Sequence, residues 1–167
     1  MRIAIVGAHG VGKTTLSQKL AIELGLPILP DVAIEAHDKG FAISENTPPE
    51  IQFWMFGRQL ELERLTGKFI ADKCLMDYSV YADILFDDQR VKELLSEMIR
   101  RNTKYSHVFY LPIEFPIKNN GIRSLDPEFQ KRVNDRYLEI LNDWGIEHHT
   151  ISGSLDDRFN QVLKFIK

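Results

Sequence analysis

The chain has 167 residues, of which 44% are hydrophobic and 27% are charged, as in an ordinary globular protein. Its formal net charge of −3 lacks the basic excess of a protein that binds nucleic acid over a broad surface. One cysteine excludes an intramolecular disulfide, and no apolar run is long enough to span a bilayer. We therefore expect a single cytoplasmic domain over residues 1–167, monomeric or homodimeric, without membrane contact.

The first predicted element is a strand at residues 3–6, a short apolar run typical of a strand buried on both faces. It leads into GAHGVGKTT at residues 7–15, which contains the P-loop pattern G-x-x-x-x-G-K-[ST]. In such a loop, glycines let backbone N–H groups surround phosphate oxygens, the lysine reaches the β- and γ-phosphates, and the hydroxyl binds Mg²⁺. We therefore predict a nucleotide site with Lys13 as a catalytic residue and Thr14 as a metal ligand. The residues expected to bind the nucleotide are Gly7, His9, Gly10, Val11, Gly12, Lys13, Thr14 and Thr15.

Helices and strands alternate along the rest of the chain. Leucines at helical spacing follow the loop as far as Gly25, and Thr47 and Asp126 each precede a proline, as helix caps do. Residues 155–166 carry the apolar spacing of a last helix. The predicted strands are residues 3–6, 27–31, 73–77, 106–111 and 146–151. This alternation predicts an α/β fold, a three-layer, doubly wound parallel sheet of five strands.

Two classes of P-loop protein lack their signatures here. A switch GTPase needs D-x-x-G and N-K-x-D, and neither pattern occurs in the chain. A hydrolytic ATPase usually has a glutamate after the aspartate that ends its third strand, whereas Tyr78 follows Asp77. The remaining class is a phosphotransferase, in which a substrate hydroxyl or phosphate takes the place of water.

Three further segments fit phosphoryl transfer. Asp77 ends the strand predicted at residues 73–77, where its carboxylate would face the metal, unless it only forms a turn. Asp31 follows the second strand and is either the general base for an acceptor hydroxyl or a helix N-cap. The polar segment around residues 115–126 predicts a lid in which Arg123 closes on the transferring phosphates. Arg132 and Arg136 are either cleft arginines or solvated helix charges.

These motifs, in this order, resemble the P-loop kinase family. The motifs are the P-loop, an acid after the second strand, LMDYS, GIRSLD and a late ISGS, and they cover most of the chain. The resemblance is to ribosylnicotinamide kinase-like domains and, more distantly, to deoxynucleoside and thymidylate kinases. It implies strand order 2-3-1-4-5, Mg-ATP as donor, catalytic roles for Asp31, Asp77 and Arg123, and a position near the adenine for the loop that contains Gly153.

The chain departs from the family at two positions. The family often has an arginine three residues after the second-strand acid, and this chain has Ile34 there. The family often carries an arginine after the third-strand aspartate, in a D-R-S pattern, and this chain has Tyr78 there. Arg58 or Arg64, on the long central helix, would then supply the missing charge. The departures bear on how the acceptor is recognised.

The sequence therefore predicts an ATP-dependent kinase that phosphorylates a hydroxyl or phosphate of a nucleoside- or nucleotide-like small molecule. Two alternatives remain open at this point. One is a kinase acting on a hydroxyl of a nucleic-acid base or end, which the net charge does not favour. The other is a nucleotide-binding regulatory module or ATPase that transfers no phosphate.

Overall fold

The computed structural model describes residues 1–43, 47–117 and 125–166. Its strands are β1 (Arg2–Val6), β2 (Phe69–Ala71), β3 (His107–Tyr110) and β4 (His149–Thr150). Its helices are α1 (Lys13–Leu24), α2 (Val32–Asp38), α3 (Pro49–Leu65), α4 (Leu75–Leu85), α5 (Gln89–Asn102), α6 (Pro127–Asp143) and α7 (Leu155–Ile166). The strands form one parallel sheet in the order β2-β1-β3-β4.

The central strand shows that helices cover both faces of the sheet. Successive side chains of a strand point to opposite faces. Ile3, Ala4, Ile5 and Val6 are nevertheless all fully buried. This double burial explains the uninterrupted apolar run of β1, and it confirms the predicted α/β fold with a doubly wound parallel sheet.

The described residues contain four strands rather than the predicted five. The second predicted strand, at residues 27–31, is reduced to a single parallel bridge between Ile28 and Ile70. Leu29 N–H donates to the carbonyl of Ile70 at 2.9 Å, which fixes this segment on the outer side of β2. The segment therefore occupies the edge position that the order 2-3-1-4-5 assigns to the second strand, without forming a strand.

The strand predicted at residues 73–77 is wrong, because the strand at this place in the sheet is β2. Cys74 is the N-cap of α4, and Asp77 lies in the first turn of that helix, where its carboxylate accepts from Cys74 N–H at 2.8 Å. Leu75 and Met76 are buried, as a strand would require, but they are buried on a helix. A short apolar run does not by itself separate a buried strand from a buried helix.

Helix starts are predicted more closely. α1 begins at Lys13, and Asp126 caps α6 by accepting from Glu128 N–H at 2.9 Å, as expected. The predicted cap of α3 is wrong by one residue, since the helix begins at Pro49 with Pro48 as N-cap. Within the described ranges, no helix is both long enough and apolar enough to cross a membrane.

Candidate active site at the P-loop

The loop between β1 and α1 has the backbone that its glycines were predicted to permit. Gly7, Gly10 and Gly12 have φ values of 134°, 79° and 93°, in the region that side chains disfavour. A Cβ atom on Gly7 would lie 2.5 Å from the carbonyl oxygen of Leu111, at the end of β3. The loop is therefore wrapped tightly at the carboxyl edge of the sheet, directly before the N-terminus of α1, where an anion is favoured.

Several carbonyl groups of this loop are held by side chains. The buried Lys13 ammonium donates to the carbonyls of Gly7 and Ala8, at 2.6 and 2.7 Å. From α6, the side-chain amide of Gln130 donates to the carbonyl of His9 at 2.7 Å. From α7, Arg158 Nη1 donates to the carbonyl of Val11 at 2.5 Å. Neither Gln130 nor Arg158 is predictable from the sequence, since each lies more than a hundred residues from its partner and no local motif marks it.

The strand-end carboxylate of the site is Asp72, not Asp77. Asp72 directly follows β2, and its Oδ2 accepts from the Thr14 hydroxyl at 2.5 Å. Its Oδ1 is buried and has no hydrogen-bond partner among the residues that the structure describes. In the sequence, Asp72 is marked by the apolar run FIA directly before it. The next segment, KCLMD, has the same pattern of an apolar run before an acid, and the strand is predicted there instead.

Thr14 and Asp72 fit a bound Mg²⁺ ion. A hydroxyl and a carboxylate are the hard oxygen ligands that Mg²⁺ prefers, and the partnerless Oδ1 of Asp72 offers a further acceptor. Within the described ranges, no cluster of three or more His, Cys, Asp and Glu residues could hold a metal. Mg²⁺ needs no such cluster, because it usually keeps several waters and binds substrate phosphates beside one or two protein ligands.

A cavity of about 510 Å³ opens beside the loop. Its lining residues are Gly10, Val11, Gly12, Lys13, Thr14, Thr15, Phe115, Pro116, Gly153, Leu155 and Arg158. Most of the residues predicted to bind the nucleotide therefore surround one cavity, including Gly153 from the distant loop before α7. Gly7 and His9 are not among the lining residues, and the His9 side chain is buried against Phe129, with ring centroids 5.8 Å apart.

Asp31 lies at the N-terminus of α2 and caps it. Its Oδ1 accepts from Ala33 N–H at 2.9 Å, so the N-cap alternative describes its contact in the structure. One turn later, Glu35 pairs with Arg58 of α3, with 3.0 Å between Oε2 and Nε. The Arg58 guanidinium therefore contacts α2 through this ion pair. A role for Asp31 as a base stays a prediction.

The other arginines considered from the sequence are partly accounted for. Arg64 donates to Asn102 at the C-terminal end of α5. Arg64 is near the end of α3, which leads to the start of β2, so this contact lies at the edge of the sheet opposite the P-loop. Arg136 forms an ion pair with Asp83 of α4, at 2.6 Å. The guanidinium of Arg132 lies 5.4 Å from the ring centroid of Phe129. Arg123 lies outside the described residues.

Tyr78 does not stand at the position that the D-R-S pattern concerns. It is buried on α4 among apolar side chains of α2 and α3, and its ring lies edge-on to Phe56. Burial, together with the negative charges of Asp77 and Asp31, raises the pKa of its hydroxyl well above the ordinary value. The residue that follows the strand-end acid is Lys73, which is basic like the family's arginine.

The chain is similar in sequence or in structure to three known proteins, two of which are named as deoxynucleoside kinases. Deoxyguanosine kinase from Bacillus subtilis (strain 168) is 23% identical over 152 residues, which are 83% of this chain and 73% of that protein. The structure of deoxyadenosine kinase from M. mycoides has a TM-score of 0.72 and 18% identity, over 99% of this chain and 98% of that one. NadR in complex with NR has a TM-score of 0.82 and 17% identity, over 99% of this chain and 50% of that one.

The structural matches confirm the fold of the P-loop kinases that the sequence motifs resemble. A family model described as an AAA domain (AAA_28) matches residues 2–158, which include the P-loop, Asp72 and Arg158. The chain therefore belongs to this P-loop family.

Proposed function

We propose that the protein is an ATP-dependent kinase that transfers the γ-phosphoryl group of Mg-ATP to a hydroxyl or phosphate of a nucleoside- or nucleotide-like small molecule. The observation that carries the proposal is the contact of Thr14 with Asp72, because Thr14 and the buried Lys13 both line the cavity beside the P-loop. The nucleoside kinases among the similar proteins support a kinase.

Different groups of the site bind different parts of the donor nucleotide and its metal ion. The N–H groups of the glycine-rich turn bind phosphate oxygens, and Lys13 exchanges its carbonyl partners for the β- and γ-phosphates. Thr14 and Asp72 hold Mg²⁺. When bound, Mg²⁺ would neutralise negative charge on the donor's phosphates during transfer.

The residue after the strand-end acid favours transfer over hydrolysis. A hydrolytic ATPase usually places a glutamate there to activate water, and Lys73 stands there instead. A lysine cannot activate water in that way while it is charged, but it can attract an acceptor's phosphate or a developing negative charge. Lys73 thus takes the place that the D-R-S pattern gives to arginine, and the departure noted at Tyr78 disappears.

The acceptor side lies where α2, α3 and α4 meet. Asp31 stands at the start of α2, above a buried cluster that includes Val32, Phe56 and Tyr78. Burial and the negative charges of Asp77 and Asp31 raise the pKa of the Tyr78 hydroxyl, so this buried group of the cluster stays neutral beside the carboxylate. A carboxylate at this position is suited to accept the proton of an acceptor hydroxyl.

The test is a screen for ADP formation from Mg-ATP with deoxynucleosides, ribosylnicotinamide and thymidylate as acceptors. We expect ADP release that depends on one acceptor class and is abolished in Lys13→Ala. Lys19→Ala, which changes a lysine on the exposed side of α1, is the matched control and should keep wild-type turnover. Undiminished turnover in a folded Lys13→Ala protein would contradict the proposal. Label transferred to DNA, or no acceptor-dependent release, would favour one of the two alternatives instead.

A further inference from the structure

An ion pair between the buried Arg158 and the solvent-exposed Glu114 joins three loops around the nucleotide cavity. Arg158, in the first turn of α7, is only 3% exposed, and its Nη2 donates to Glu114 Oε2 at 2.5 Å. Glu114 follows β3, and both of its carboxylate oxygens accept from Gly153 N–H, at 3.1 and 3.0 Å. The other arm of the guanidinium holds the carbonyl of Val11 in the P-loop. One pair therefore connects the P-loop, the loop after β3 and the loop before α7.

The contact with Val11 orients a donor of the P-loop. In a trans peptide the carbonyl oxygen and the following N–H point in opposite directions, because the unit is planar. Arg158 holds the Val11 oxygen on the α7 side, so the N–H of Gly12 points away from α7. The fit is close, since a Cβ atom on Gly12 would lie 3.3 Å from Arg158 Nη1. Arg158 thus fixes the plane of a peptide whose N–H belongs to the predicted phosphate-binding turn.

The chemistry of the pair argues against a purely structural role. Burying the Arg158 guanidinium is costly, and a well-packed apolar side chain in its place would often stabilise the protein as well. Only the planar fork of arginine reaches the Val11 carbonyl and the Glu114 carboxylate together. The hydrogen bond from Arg158 lowers the pKa of the Glu114 carboxyl, so the pair stays charged near neutral pH.

We infer that Arg158, with Glu114, is a positioning residue for the phosphate donor, which fixes the P-loop peptide at Val11 and joins it to the loop around Gly153. The inference rests on the proposed function, since a donor nucleotide must bind in this cavity. Preorganised donors lower the entropy lost on binding, and loss of the guanidinium releases the Val11–Gly12 peptide. The effect should fall on donor binding and spare the acceptor, whose proposed site lies by α2 and α3.

The variant Arg158→Met separates positioning from stability, because methionine fills similar space without charge. Glu114 keeps contact with solvent and with Gly153 N–H, so its carboxylate is not stranded. The matched control is Asp156→Asn, which removes the charge of the exposed partner of Lys19, two residues from Arg158 on the same helix. Arg158→Lys keeps the charge without the fork and serves as the second variant if methionine prevents folding.

Three quantities are measured. They are the Kd of the protein for AMP-PNP in the presence of Mg²⁺, by calorimetry, the KM for the acceptor found in the screen, and the Tm. We expect Arg158→Met to weaken AMP-PNP binding roughly tenfold or more, the loss typical of a hydrogen bond to a charged group, with acceptor KM within about twofold. Asp156→Asn should bind AMP-PNP like the wild type. Unchanged AMP-PNP binding in Arg158→Met, or equal losses for donor and acceptor together with a lower Tm, would overturn the inference. A wild-type protein that binds AMP-PNP but phosphorylates nothing would overturn the proposed function alone.

Discussion

Replacing Asp72 and Asp77 by alanine, one at a time, should produce opposite phenotypes. The two aspartates lie five residues apart and are almost equally buried, yet they have different partners. Asp72 accepts from the Thr14 hydroxyl at the P-loop, whereas Asp77 accepts from the backbone N–H of Cys74 within α4. The first contact belongs to the proposed metal site and the second to a helix cap.

The size of each effect follows from these contacts. Asp77→Ala leaves the Cys74 N–H buried without its acceptor, which costs about 1–3 kcal/mol. For a chain of this length, Tm falls by roughly 2–4 °C for each kcal/mol. Asp72→Ala removes a carboxylate whose Oδ1 has no hydrogen-bond partner among the described residues, and the exposed Thr14 can turn to water. Its Tm should therefore stay unchanged or rise, as is common when active-site groups are removed.

The assay is turnover per folded molecule across a Mg²⁺ titration, with Tm measured on the same samples. We expect Asp72→Ala to lose turnover about tenfold to a hundredfold and to need more Mg²⁺ for half-maximal rate, as when groups that support a metal site are removed. Asp77→Ala should keep near-normal turnover per folded molecule and Mg²⁺ dependence. If Asp77→Ala instead loses turnover at wild-type Tm while Asp72→Ala stays active, Asp77 is the metal residue and our assignment fails.

Two further substitutions test the neighbouring elements. Asp31→Ala should lower the free energy of unfolding by about 1 kcal/mol, because it removes the cap of α2. If Asp31 is the base, the variant should also lower the rate of phosphoryl transfer about 10²–10⁴-fold while ATP affinity stays within a few-fold. Normal transfer with a lowered Tm would leave Asp31 a cap alone. Burial raises the pKa of Glu63 above its ordinary 4.5. Just above pH 4.5 the folded protein therefore keeps a proton that the unfolded chain releases. The stability that this proton contributes is lost as the pH rises through the raised pKa. The unfolding free energy of Glu63→Gln, from urea titrations between pH 4.5 and 8, should therefore gain on that of the wild type as pH rises, and a pH-independent difference would contradict this.

The P-loop was predictable because its information is local. A strand, a glycine pattern and a helix start within fifteen residues specify its backbone, and the structure has positive φ at the glycines of the pattern. Asp72 was missed for the opposite reason. Two apolar runs, each ending in an acid, follow one another between residues 69 and 77, and only tertiary packing decides that the first is a strand and the second a helix.

Gln130 and Arg158 could not be found from the sequence, because their partners are 121 and 147 residues away. On helices α6 and α7 they look like solvated polar residues in an amphipathic pattern. Their role becomes visible only when the fold brings both helices against the P-loop. The backbone of a phosphate-binding loop is set by its glycines, but the orientation of its peptides is held by side chains from elsewhere in the chain.

The same reasoning applies to the turn that carries Asp72, which is held by α3. Gln59 donates to the carbonyl of Lys73 at 3.0 Å, and Glu63 accepts from Leu75 N–H at 3.1 Å, so buried side chains of one helix secure the backbone on both sides of Cys74. The preceding turns of α3 contribute Met55 and Phe56 to the cluster beneath Asp31. One helix therefore relates the proposed metal residue to the proposed acceptor side. Its polar side chains fix the first and its apolar side chains support the second, so the spacing between donor and acceptor depends on the packing of α3.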